Sequence, residues 1–349
     1  SLRDIGFIIR NRGFWYIALL CVLFYSAVFP FYKYGPDLMV NKFGIHPDYG
    51  GLIPSLLPFG TLFLTPFFGN LYDRKGKGAS IMLLGAIMLI VVHLVLWMPV
   101  LGQDLTSIVV AVIAVVVLGI AFSLVPSAMW PSVPKIIPEK QLGTAYALIF
   151  WVQNWGLMGI PFLLGLVLNT TNPTVATDKQ AIQAGFELAY VQAVENTGLA
   201  VLKDKRGDQI DLAKAARVES QNLVTDVVMN YPQDDVLAID SAELANMVYE
   251  STKTFLDTEI SRIDMSRLEG VDEDNNEDND NVVLIRLNES AVDHVSQVVG
   301  KKEVKLNYDY FTTWIIFIVC TILALIFAIL LKREDKRKGY GLEKPNIER

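Results

Sequence analysis

The chain has 349 residues, 52% hydrophobic and 19% charged, with a formal net charge of −7 and a mean hydropathy of +0.37. Soluble domains average about 25% charged, and here the charges are also segregated. Six charge-free windows of 20, 24, 26, 30, 37 and 22 residues lie after Arg12, Asp48, Lys77, Asp104, Lys140 and Asp309; each reaches the roughly 20 apolar residues that a bilayer-spanning helix needs, which excludes a soluble enzyme.

The predicted spans are 13–34, 51–72, 79–99, 106–129, 142–168 and 311–331. No basic-then-apolar leader with a cleavage site precedes the first, and the chain, opening at Ser1, reads as part of something longer. Tyr25, Phe29 and Tyr32 recur on one face of the first span at i, i+4, i+7. The second span is interrupted by Pro54, Pro58 and Gly60 and ends in GNLYDRKGKG, residues 69–78. The third holds His93, the one ionisable residue inside an apolar span. It lies near the outer end of the span, and an intramembrane ionisable residue is a candidate for function by default. In the fourth, Ser123, Ser127 and Trp130 repeat the helical spacing, and three prolines at 131, 134 and 138 are expected to stop that helix before the next begins. The fifth carries Tyr146, Phe150 and Gln153 on one face, with Asn154 beside them and Gly156, Gly159, Pro161 and Gly165 following. Amides facing lipid are expensive, so Gln153 and Asn154 are expected to line a cavity. Helix-breaking residues at corresponding places in two sets of three spans point to a 3+3 inverted repeat.

Orientation follows from lysine and arginine in the short loops. Arg3, Arg10, Arg12, Arg74, Lys75, Lys77, Lys135, Lys140 and the tail from Lys332 fall on one side, which is expected to be cytoplasmic. Both termini are then inside, and residues 169–309 lie outside, in the periplasm or its topological equivalent. Basic residues at helix ends form no single patch, so nucleic-acid binding has no support. Cys21 and Cys320 lie inside apolar windows and are read as packing residues.

Residues 169–309 carry 27 acidic and 13 basic side chains, a net −14, against +7 for the remainder. This stretch is expected to be a soluble, mainly helical α+β insert. Phe186, Tyr190 and Val194 share a helical face, as do Leu244, Met247, Val248 and Phe255. VVLIRL (282–287) and EVKLNY (303–308) alternate as a strand hairpin would. VDEDNNEDNDN (271–281) imitates a calcium loop, with Asp272, Asp274 and Asn276 at the first ligand positions. Glu277 stands where glycine is required and Val283 where the closing glutamate belongs, so a solvated acidic loop is expected. The sequons at Asn169 and Asn288 are weak signals. No nucleophile–base pair, metal spacing or phosphate loop is present, so no catalysis, cofactor or metal is expected.

GNLYDRKGKG resembles the cytoplasmic-loop signature of the major facilitator superfamily, carried here by Gly69, Leu71, Asp73, Arg74, Gly76 and Lys77. It departs at Tyr72, where a small residue is usual, and at Gly78, where a second basic residue is usual. AVFPF (27–31), SAMWP (127–131), PEKQLGTAY (138–146) and VQNWG (152–156), with His93, resemble the lysosomal dipeptide uniporter branch. That resemblance implies the C-terminal six-helix half of the fold: residues 1–168 as helices seven to eleven, 310–333 as the last, and 334–349 as a basic cytoplasmic tail. It also implies an N-terminal six-helix half as partner and the bilayer as surroundings; the insert's partner is not specified.

On this resemblance the expected function is alternating-access movement of short peptides, dipeptides above all, by uniport. Tyr25, Phe29, Ser127, Trp130, Gln153 and Asn154 would bind the peptide, its backbone bonding the two amides. Asp73 would reach a helix N-terminus in the other half, with Gly69 and Gly76 permitting close approach and a tight turn. The alternatives are a sugar or neutral-metabolite porter, and a non-transporting receptor or scaffold acting through the insert.

Overall fold

A computed structural model describes residues 2–99, 105–196, 211–231, 239–262, 277–302 and 304–347. Two compact units divide the chain: residues 1–171 with 309–349, and residues 172–308. The first contains six helices long and apolar enough to cross a membrane. In order they are α2 (Arg12–Phe43), α4 (Leu52–Lys75), α5 (Gly78–Trp97), α6 (Leu105–Ile136), α7 (Leu142–Thr171) and α12 (Phe311–Lys338), with short helices α1 (Leu2–Ile9) and α3 (Pro47–Gly50) beside α2.

Helix α2 starts where the Asn11 side chain accepts from the Gly13 and Phe14 amides, at 2.8 and 3.3 Å, and stops at Gly44, whose φ of 66° breaks the helix. It is nine residues longer than its predicted end at 34 and carries Pro30 and Pro36 inside it. At 32 residues it extends about 48 Å, longer than the roughly 30 Å hydrocarbon layer.

The prolines after Trp130 do not stop the fourth span: α6 runs through Pro126, Pro131 and Pro134 to Ile136. A proline leaves the carbonyl four residues earlier without its usual partner, and a packed bundle can supply another. Pro134 frees the Trp130 carbonyl, and the Tyr146 hydroxyl of α7 donates to it at 3.1 Å.

Burial separates the helices by role. In α2, 67% of the apolar window is buried, against 11% for 47–75 and 17% for 139–171. Helix α2 packs at the centre, with Gly156 of α7 leaving no room for a Cβ beside Val22 and Ser26. Helices α4 and α7 each present an open apolar face, including Leu56, Phe59 and Phe63 on one and Trp155, Met158 and Phe162 on the other. Cys21 and Cys320 are buried free thiols. His93 is fully buried, with Nε2 2.8 Å from the Ala27 carbonyl and its ring stacked on Phe317 at 4.9 Å.

The second unit is built from α8 (Val175–Glu195), α9 (Leu212–Asn230), α10 (Ser241–Ser261) and α11 (Glu277–Gly300). Phe186, Tyr190, Val194, Leu244 and Val248 enter its core, with Met247 and Phe255 packed against it. The expected hairpin is not there: residues 282–287 lie within α11, and 304–308 are irregular. Among the described residues the insert is helical, not α+β. Leu287, Ala291, Val295 and Val299 are buried at four-residue intervals, so the short alternation at 282–287 is the start of a helical stripe that continues beyond it. Asn288 is buried, accepting from Tyr190 Oη at 2.6 Å and donating to Glu219 at 3.2 Å; in the folded insert this sequon is closed to a glycan. The calcium-like stretch lies largely outside the described residues.

Candidate functional site

Three predicted stripes meet. Tyr25 and Phe29 of α2 stack at 5.4 Å. The Trp130 indole of α6 donates to Tyr25 Oη at 3.1 Å and stacks on Phe150 of α7 at 5.1 Å. Tyr146 flanks the same indole at 6.0 Å. The result is a continuous aromatic wall from α2 across α6 to α7, with Tyr25 buried and Phe29 and Phe150 39% and 49% exposed. The exposed rings make it a surface that can take an apolar side chain, not a closed core.

The polar residues divide differently. Gln153 is partly buried and its Oε1 accepts from the Cys21 thiol at 3.5 Å, while Asn154 is exposed. Ser127 is buried and its hydroxyl donates to the Leu124 carbonyl at 2.6 Å, which leaves it only acceptor capacity.

One further residue joins the wall, and a second lies one helical turn from it. Phe122 sits edge-on to Phe29 at 5.6 Å and to Tyr25 at 6.0 Å. Phe122, Pro126 and Trp130 are at i, i+4, i+8, a signal available beforehand but passed over for the neighbouring serine stripe. Lys33 is exposed and follows Phe29 by one turn of α2, its ammonium 5.2 Å from the Tyr34 ring centroid. A span ending at 34 puts Lys33 in the following loop, whereas α2 continues to Phe43.

The loop motif forms a second locus. Gly76 has φ 68° and Lys77 φ 64°, a double left-handed turn between α4 and α5 that glycine makes possible at the first position. Asp73 accepts from the Asn346 side chain at 2.8 Å, and Arg74 is exposed. Around Gly69 an added Cβ would meet nothing within 4 Å, so the close approach expected there is not made within this chain. Tyr72 is buried, with the Lys135 ammonium 5.2 Å from its ring centroid.

Residues 1–161 match the Major Facilitator Superfamily. The chain resembles the lysosomal dipeptide transporter MFSD1 of Gallus gallus, 34% identical over 164 residues, covering 46% of this chain and 34% of the relative. The Homo sapiens and Danio rerio proteins of the same name are 34% and 32% identical over 160 and 159 residues, covering 45% and 44% of this chain and 32% of each relative. The chain thus spans about a third of the length of the curated relatives it matches. No solved structure matches it.

Proposed function

We propose, from this resemblance to the Major Facilitator Superfamily and its dipeptide-transporter branch, that the chain is the C-terminal six-helix half of a transporter moving short peptides by alternating access. The observation that carries the reading is the aromatic wall of Tyr25, Phe29, Trp130 and Phe150 beside Gln153 and Asn154, drawn from three helices. A peptide offers amide donors and acceptors for the two amides and side chains for the rings, Ser127 adding an acceptor. Lys33 stands one turn above Phe29, where its charge suits the peptide's terminal carboxylate.

The open faces of α4 and α7 are where the N-terminal half would pack, and Asp73 is where that half would be gripped. The basic loops support a reading with both termini in the cytoplasm and the insert on the opposite side. Uniport is the mode proposed, because the resemblance is to a uniporter branch and His93 is committed to packing.

The test uses the full-length protein in proteoliposomes. A dipeptide gradient alone is expected to drive uptake without stoichiometric proton movement. Uptake of a hexose with no response to any dipeptide would replace the peptide reading with the sugar one; proton flux coupled one-to-one with peptide would overturn uniport.

A further inference from the structure

The chain does not run free after α12. Gly339 ends the helix with φ 71°, and residues 340–347 turn back along the loop between α4 and α5. Leu342 is fully buried; its amide donates to Asp335 Oδ1 at 3.0 Å and its carbonyl accepts from the Gly78 amide at 2.8 Å. The Glu343 carbonyl accepts from the Lys77 amide at 3.0 Å. The Glu343 carboxylate accepts from the Ser80 amide and hydroxyl at 2.9 and 3.0 Å, and Lys135 Nζ donates to the Lys344 carbonyl at 2.7 Å. At the far end, the main-chain amides of Asn346 and Ile347 both donate to the Asp73 carbonyl at 3.0 Å, and Asn346 Nδ2 donates to the Asp73 carboxylate at 2.8 Å.

The loop is shaped to receive this segment. A Cβ on Gly76 would fall 2.5 Å from the Glu343 carbonyl oxygen, and one on Gly78 would fall 2.8 Å from both the Leu342 oxygen and the Tyr72 ring. Gly78 and Tyr72 are the two places where the loop departs from the superfamily signature, and the two meet under Leu342, the buried anchor of the returning segment.

We propose that residues 340–347 form a clasp that holds Asp73 in one transport state and yields it to the other half in the opposite state. The tail then sets the balance between the two. This rests on the alternating-access reading above. The clasp has a firm end and a loose one. Leu342 is fully buried and Glu343 is held by Ser80 and faces the Lys332 ammonium at 4.0 Å, whereas the Asn346 side chain makes an exposed bond that another donor can reach. A helix N-terminus carries partial positive charge and free amides, and so can displace such a donor. Opening proceeds from Asn346 inward, and the Leu342 end keeps the segment in place for reclosure.

The test reads conformation without substrate. Cys21 and Cys320 are buried, so a cysteine placed at exposed Asn70, one turn before Arg74, reports by thiol labelling whether that end of α4 is covered. In the full-length protein, Asn346→Ala is expected to slow labelling of Asn70→Cys about fivefold, the factor one ordinary hydrogen bond is worth. Amide exchange at 346 and 347 should rise while Leu342 stays protected. Ending the chain after Gly341 should slow labelling at least as much. The exchanged pair Asp73→Asn with Asn346→Asp should restore exchange protection but not the covered state, because the carboxylate no longer sits on the loop. Wild-type labelling in both Asn346→Ala and the shortened chain would overturn the proposal and leave the tail a structural brace. A protein that binds no dipeptide but shows these labelling shifts would sink the substrate assignment and keep the clasp.

Discussion

The Trp130 indole is the joint of the aromatic wall, bonded to Tyr25 of one helix and stacked on Phe150 of another. Its carbonyl is held by Tyr146 as well, so Trp130 is fixed at ring and backbone, whereas Asn154, one helical turn after Phe150, is exposed. In the proposed site the held rings would give shape and the exposed Asn154 amide would give recognition. Replacing Asn154 or Gln153 by Ala is therefore expected to weaken dipeptide binding by ~1–3 kcal/mol, the range for leaving a polar partner unpaired. Peptide-induced shifts in melting temperature measure it; unchanged shifts in both variants remove these residues from the site. His93 goes the other way. The Ala27 carbonyl can only accept, so Nε2 carries the ring proton, and Nδ1 is buried with no partner among the described residues. His93→Gln should lower the melting temperature through lost stacking and leave the pH profile of uptake near wild type. A profile displaced by a full pH unit would restore His93 as a proton-sensing group. The aromatic stripes were legible because i, i+4 spacing fixes a helix face whatever the neighbours are. Asn346 on Asp73 was not, since 273 residues separate them in sequence.

At the scale of elements, helices were legible and their ends were not. Six windows of missing charge located six helices, because burying an unpaired charge in lipid is costly anywhere along a span. Proline is a local signal, and its effect depends on whether another group adopts the freed carbonyl. Tyr146 does so for the Trp130 carbonyl that Pro134 frees, and α6 runs on to Ile136. The same limit explains α11. Six alternating residues fit a strand, but the buried positions continue at fours through Val299, and a longer window decides for helix. Tyr146→Phe keeps the ring and removes only the donor to the Trp130 carbonyl. It is expected to cost about 1–3 kcal/mol of stability and to loosen α6 between 130 and 136, seen as faster amide exchange there than in the first half of the helix. Uniform exchange along α6 in this variant would show that the prolines are accommodated without the hydroxyl.

On the scale of the whole molecule, two units with different chemistry share one chain. The membrane unit buries α2 and leaves the apolar faces of α4 and α7 open. The insert, residues 172–308, closes its own core around Phe186, Leu223, Val248 and Val295 and carries most of the acidic charge. The insert has its own hydrophobic core, and loop length between fixed ends has only a logarithmic entropic effect. None of the residues of the aromatic wall lies within it. Replacing residues 172–305 by a short Gly/Ser linker is therefore expected to leave dipeptide uptake within about twofold of wild type, with unchanged apparent affinity. Full loss of the cellular phenotype alongside normal uptake in proteoliposomes would assign the working role to the insert. Loss of uptake with normal expression and folding would mean that transport needs the insert, and that the two units work as a single cooperative machine.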